Sequence, residues 1–299
     1  MTLLISVLEQ GLIYAVMALG MYITYKILDF PDMTVDGSFP LGAALSAVLI
    51  TQGVNPYLTL VCSFFAGLLA GAITGFIHVR LHVRDILASI IMMTALYSVN
   101  LRIAGRANLP IYNYENIYSN SITDRIFTGV LAPWQTVILI ALIVAVVKLA
   151  LDWYLKTRSG YLLKAVGDNE TLVTSLGIDK GKVKILGLAI ANGMVALAGA
   201  MFAQQQRFFD ASMGVGTAVI GLASVIIGTS LFGQVGIFGF SISVILGSIL
   251  YKGCVALAIR FGLQSGDLKL VTAVLFLVIL VISRQLELRQ AKRVRKELR

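Results

Sequence analysis

The run Leu131-Ala-Pro-Trp-Gln-Thr-Val-Ile-Leu-Ile-Ala-Leu-Ile-Val-Ala-Val-Val-Lys-Leu-Ala-Leu151 contains no acidic residue and a single cation, Lys148. About 20 mostly apolar residues in a helix cross the core of a bilayer, so this stretch is long enough to span one. A second run, Leu270–Ser283, carries no charge at all. Neither run alternates strictly between apolar and polar, as a barrel strand would, so both predict helices. Lipid permits little else, because each backbone N–H and C=O must be bonded inside the protein. The whole chain follows the same pattern: of 299 residues, 58% are hydrophobic and 13% charged. A soluble domain has about 45–50% and about 25%.

Outward from these runs, further spans are expected at about Leu4–Leu28, Tyr57–Val79, Ile86–Ile103, Leu131–Leu155, Val183–Gln204, Ala218–Phe232, Ile237–Ile259 and Leu268–Ser283, with a shorter piece at Leu41–Thr51. The expected fold is an all-α polytopic transmembrane bundle of about 8–10 membrane segments, including at least one broken helix. Residues 1–283 form the membrane domain, with a large loop at about 156–182, and 284–299 form a basic tail. The first span lacks a basic leader and a clear cleavage site, so it is read as retained.

The net charge of +9 lies in the connections between spans, which argues for membrane topology and against a nucleic-acid partner. Lys and Arg collect in cytoplasmic loops. They are dense in the tail (Arg284, Arg289, Lys292, Arg293, Arg295, Lys296, Arg299), in Lys156–Lys184 and in His78–Asp85. In Ala104–Thr128 and after Gln206, acids balance them. This pattern places the C-terminus in the cytoplasm and the N-terminus outside.

No catalytic constellation is expected. His78 and His82 have no third ligand near them, so no metal site is read. Cys62 and Cys254 lie in apolar runs as packing residues, and no phosphate-binding glycine loop is present. Gly67, Gly71 and Gly75 repeat at four-residue spacing, which suits close helix packing where lipid supplies no hydrophobic drive.

Two polar segments carry the functional expectations. Leu28-Asp-Phe-Pro-Asp-Met-Thr-Val-Asp-Gly-Ser-Phe-Pro-Leu-Gly42 sets carboxylates, Pro31 and Pro40 between apolar runs. It reads either as a cytoplasmic loop or as a broken helix lining a path, with Asp32, Thr34, Asp36 and Ser38 exposed to that path. In the second segment, Asp168 or Asn169 can cap a short helix, Glu170 suits its first turn and Gly177 its left-handed end. Leu172, Val173 and Leu176 give this helix an apolar face, with Ser175 beside it. Such a face packs on its own protein or docks into a partner's groove.

The segment Gly160–Gly177 resembles the coupling-helix region of ABC importer permeases of the branched-chain amino acid and ribose type. Gln10-Gly-Leu-Ile-Tyr-Ala-Val-Met-Ala-Leu-Gly20 is similar to that family's first span. The stretch Val225-Ile-Ile-Gly-Thr-Ser-Leu-Phe-Gly-Gln-Val-Gly-Ile-Phe-Gly239 is similar to its glycine-rich join before a late span. The three occur in the family's order. The resemblance implies a permease subunit that forms the translocation path, in a membrane dimer (a homodimer in the simplest case). It also implies cytoplasmic ATPase subunits that hold ATP and Mg, and an extracytoplasmic solute-binding protein. Asp168–Gly177 would then contact the ATPase, and Ala104–Thr128 with Arg207–Gly216 would face the binding protein. The acidic Pro31–Ser38 departs from the family's usual short stretch and looks closer to an amino-acid-linked subgroup that includes aromatic ones. An ion-gradient-driven transporter is the alternative. It would want paired broken helices, and no second acidic break is visible.

Overall fold

The computed structural model describes residues 2–120, 123, 129–232, 239–260 and, beyond these, 270, 272–274, 276–278 and 281. The described chain is almost entirely helical. The helices are α1 (Thr2–Met21, continuing as a π-helical turn Tyr22–Ile27), α2 (Val35–Thr51), α3 (Pro56–Arg80), α4 (Asp85–Ala104) and α5 (Gln135–Tyr154). They continue with α6 (Arg158–Asp168), α7 (Glu170–Ser175), α8 (Lys180–Gln206), α9 (Thr217–Ile227, continuing as a π-helical turn Gly228–Phe232) and α10 (Phe240–Arg260).

Among the described residues, six helices are long and apolar enough to cross a membrane, and α2 and α9 with its turn are shorter apolar helices. The chain is a multi-pass membrane protein. The expected last span is described only at 270, 272–274, 276–278 and 281, all helical. The tail 284–299 lies outside the described residues, as do 233–238 of the glycine-rich join and 124–128 of the long loop.

Helix α8 is the axis of the bundle. It packs against α3, α2 and α1 and is buried along most of its length. Glycine makes this possible. A β-carbon at Gly71 would collide with the Leu188 carbonyl, and one at Gly75 would lie 2.8 Å from the Ile185 Cα. The repeat Gly67, Gly71, Gly75 is therefore the seam along which α3 and α8 touch backbones.

The helix ends have local causes. Asn55 accepts a hydrogen bond from the Tyr57 N–H at 2.9 Å, with Pro56 at the first helical position, where its missing N–H does no harm. Asp179 accepts from the Gly181 and Lys182 N–H groups at 3.0 and 3.4 Å to start α8. Gly105 ends α4 in the left-handed region.

Two connections at one end of the bundle pair as a short antiparallel ladder, β1 (Asn108–Pro110) with β2 (Phe208–Asp210), with Leu109 opposite Phe209. Sequence periodicity does not show strands this short. The basic turn His78–Arg84 lies at the other end, around a cavity it shares with Glu170 and Asp179–Ile185. The basic connections 78–84 and 156–184 therefore share one end of the molecule.

The break after α1 is shorter than expected. Helix α2 begins at Val35 and runs straight through Pro40. Pro40 falls early in the helix and leaves the Asp36 carbonyl without an intrahelical donor. Gly214 packs against that carbonyl and the proline ring.

Candidate functional site

The connection Leu28–Thr34 alternates buried and exposed residues, with Asp29, Pro31 and Met33 exposed and Phe30, Asp32 and Thr34 buried. Asp29 adopts φ 51°, a left-handed conformation that Asp tolerates better than most residues. The Thr34 N–H donates to Asp32 Oδ1 at 2.8 Å, closing an Asx turn that starts α2.

The other Asp32 oxygen accepts from Asn192 Nδ2 at 2.7 Å. Asn192 Oδ1 in turn accepts from Ser38 Oγ at 2.8 Å. Thr34 and Thr74 share a hydroxyl hydrogen bond of 3.1 Å. Asn100 on α4 donates to the Gly37 carbonyl at 3.1 Å. Asp32, Thr34, Ser38, Thr74, Asn100 and Asn192 are all buried. Within the segment, Asp32, Thr34 and Ser38 are turned into the packed interior, whereas Asp29, Pro31 and Met33 are exposed. A carboxylate away from water needs donors on its oxygens, and α8 supplies one from Asn192.

Asp36 is half-buried and has a different task. Its carboxylate accepts from the Gly216 N–H (3.1 Å), Thr217 Oγ1 (3.0 Å) and the Ala218 N–H (2.7 Å). These groups form the start of α9, whose own preceding residue, Gly216, has no side chain to cap it. The starts of two short helices, α2 and α9, therefore meet at Asp36, and the acid sits where the helix dipole favours it.

One carboxylate, Asp36, thus serves the starts of both helices. Asn192, Thr74 and Gly214–Ala218 were not legible as partners of 32–38. A lone Asn in the apolar middle of α8, between Ile185 and Ala203, was the available signal.

The second polar segment forms a knob at the end of the bundle that carries the turn 78–84. Here Asn169, and not Asp168, caps α7, accepting from the Leu172 N–H at 3.0 Å; Asp168 is the last residue of α6. Gly177 takes φ 76°, which ends the helix as a glycine does best. Glu170 binds Lys180 at 2.9 Å and also Lys184, clamping α7 to α8. The hydrogen bond from Lys184, joined by that from Lys180, holds the Glu170 carboxyl below the usual glutamate range, against the opposing effect of partial burial. Val173 points inward and is buried, whereas Leu172 is 57% exposed and Leu176 68% exposed. Ser175 Oγ donates back to the Leu172 carbonyl at 2.7 Å. Helix α6, which precedes the knob, was missed; Thr157 caps it by accepting from the Gly160 N–H at 3.3 Å.

Among the described residues no group of His, Cys, Asp or Glu is arranged to hold a metal. The structure is an apolar helical bundle in which the starts of two short helices meet at Asp36, with a clamped knob at one end. The chain matches the family described as the branched-chain amino acid transport system permease component over residues 3–283, and it belongs to that family.

The chain is 42% identical to the tyrosine transport system permease protein of Clostridioides difficile, over 93% of this chain and 90% of that one. It is 26% identical to the ribose import permease protein of Escherichia coli K12, over 93% and 84%. It is 25% identical to a probable branched-chain amino acid transport permease protein of Methanocaldococcus jannaschii, over 86% and 83%. A solved structure, PsaBC from Streptococcus pneumoniae in complex with Fab, shares the fold with a TM-score of 0.53 at 16% identity, over 96% of this chain and 94% of that one. The chain is the permease subunit of an ABC-type importer.

Proposed function

We propose that this permease carries an amino acid across a bacterial cytoplasmic membrane, that the knob end faces the cytoplasm, and that α7 docks into a separate ATPase that holds ATP and Mg. The observation that carries the docking is the pair Leu172 and Leu176. Both are large, apolar and exposed on a helix whose other side is anchored by Val173 and Glu170. An exposed apolar pair on a rigid knob suits a partner's groove.

ATP binding would draw the ATPases together and move the knob, and the bundle would rock as a rigid body between two open states. The paired connections β1 and β2 lie at the opposite end, in reach of an extracytoplasmic binding protein that delivers the solute. Two copies of the chain would frame the path. The amino-acid assignment is supported by the tyrosine and branched-chain relatives.

The double substitution Leu172→Asp, Leu176→Asp tests the docking. Loss of ATPase co-purification from a permease that still inserts is the expected result, and unchanged capture would refute the knob's role.

The segment Asp32–Ser38 is proposed as part of the path's moving wall, with Asp32, Thr34 and Ser38 forming a hydrogen-bonded seal and Asp36 carrying α9 along. Asp32→Asn and Asp36→Asn should alter uptake while assembly is unchanged. Normal uptake in both variants would remove the segment from the path.

A further inference from the structure

Lys252 lies on α10, about 18 Å from the Phe240 end and about 12 Å from the Arg260 end at 1.5 Å rise per residue. Neither end is within reach of its side chain. The ammonium lies instead 3.7 Å from the ring centroid of Tyr14 on α1.

Among the described residues it makes no ion pair, and it donates no hydrogen bond. Two other charged groups within the spans have partners. Lys148 pairs with Asp152 at 2.8 Å. The nearest acid along α1, Glu9, accepts from Gln205 of α8 at 3.0 Å. Tyr14 itself is locked by Phe39 and Phe202, with ring centroids 5.8 and 5.6 Å away.

A charged group at this depth facing hydrocarbon is costly, and intramembrane lysines face partners or wet cavities. The exposed Leu250 and Leu257 form a lipid-type face on the side of α10 opposite Lys252, and the exposed Ile259 lies on Lys252's own side nearer the Arg260 end. Lys252 is half-buried. The Tyr14 ring attracts the ammonium through its negative face but does not occupy all three of its donors.

We propose that Lys252 stands in the solute path and takes the carboxylate of the transported solute, with Tyr14 holding the ammonium in position. The substrate class is then a small solute bearing a carboxylate. This deepens, and rests on, the reading of the chain as an amino-acid permease.

The test uses the assembled transport system in cells, with Cys62 and Cys254 replaced by Ser. K252C should react with a membrane-impermeant methanethiosulfonate carrying a sulfonate. Reaction with a lipid-soluble maleimide alone would place the residue outside any wet path and overturn the proposal. In uptake of labelled L-tyrosine and L-leucine, K252Q should fall at least tenfold and K252R by much less, with ATPase capture unchanged in both. Undiminished uptake by K252Q overturns the proposal. A wild-type system that imports D-ribose and neither amino acid overturns the carboxylate assignment and leaves the importer architecture standing. Failure of the wild type to capture an ATPase would strike the parent reading alone, since the thiol labelling reports on Lys252 without any ATPase.

Discussion

Asn192 is the residue on which the buried acid depends. It donates to Asp32 and to the Leu188 carbonyl and accepts from Ser38, so Asn192→Ala removes three hydrogen bonds at once and leaves a carboxylate oxygen short of donors. Intramembrane hydrogen bonds are worth about 0.6–2 kcal/mol each, so the loss should lower the midpoint of thermal unfolding in detergent by several degrees. Asn192→Asp, of similar size, should be worse, because it sets a second carboxylate against the first. Equal midpoints for wild type and both variants would show that the network carries no stability.

Asp36 acts differently. Asp36→Ala uncaps α9, and lost caps cost about 0.5–2 kcal/mol. Hydrogen exchange should quicken at the amides of Gly216 and Ala218 and stay unchanged at α3, which is where an effect confined to the cap would appear.

Helices α3 and α8 touch through glycine, and the element-level prediction follows from that contact. Gly71→Leu has to drive the two backbones apart, because even a β-carbon has no space against the Leu188 carbonyl. The purified variant should elute as aggregate where the wild type is monodisperse. Leu substituted at the exposed Phe65 of the same helix should change nothing.

The knob is held by charge instead of close packing. The Glu170 carboxyl is depressed by its lysine partners, so the clamp is fully present above the ordinary glutamate value of 4.5 and is lost as pH falls through the lower folded value. At neutral pH, Glu170→Gln should mimic that loss. Exchange over 170–175 should then quicken, and ATPase capture should weaken modestly, because the pairs are partly exposed and screened.

Across the whole molecule, the two ends differ in charge and structure. One carries the knob and the turn His78–Arg84, and the other the β1–β2 ladder. The proposed orientation predicts that an impermeant thiol reagent labels Tyr112→Cys in intact cells, and labels Leu176→Cys only after the membrane is opened. Both positions are exposed, so equal labelling in intact cells would contradict the orientation.

Lipid demands long apolar helices, and that demand is local. The run Leu131–Leu151 therefore announced a span without help from any other residue. So did the knob's cap, its glycine end and its apolar pair, all set by neighbours within a few positions. The role of Asp36 was different in kind. Its carboxylate reads as a path-facing acid until folding brings Gly216 and Ala218, some 180 residues later in the chain, to within a hydrogen bond. Asp32 likewise reads as exposed until Asn192 arrives from α8. Propensity and hydropathy act along the chain, whereas the partner of a buried polar group is chosen by which helices pack together, and only the assembled bundle makes that choice.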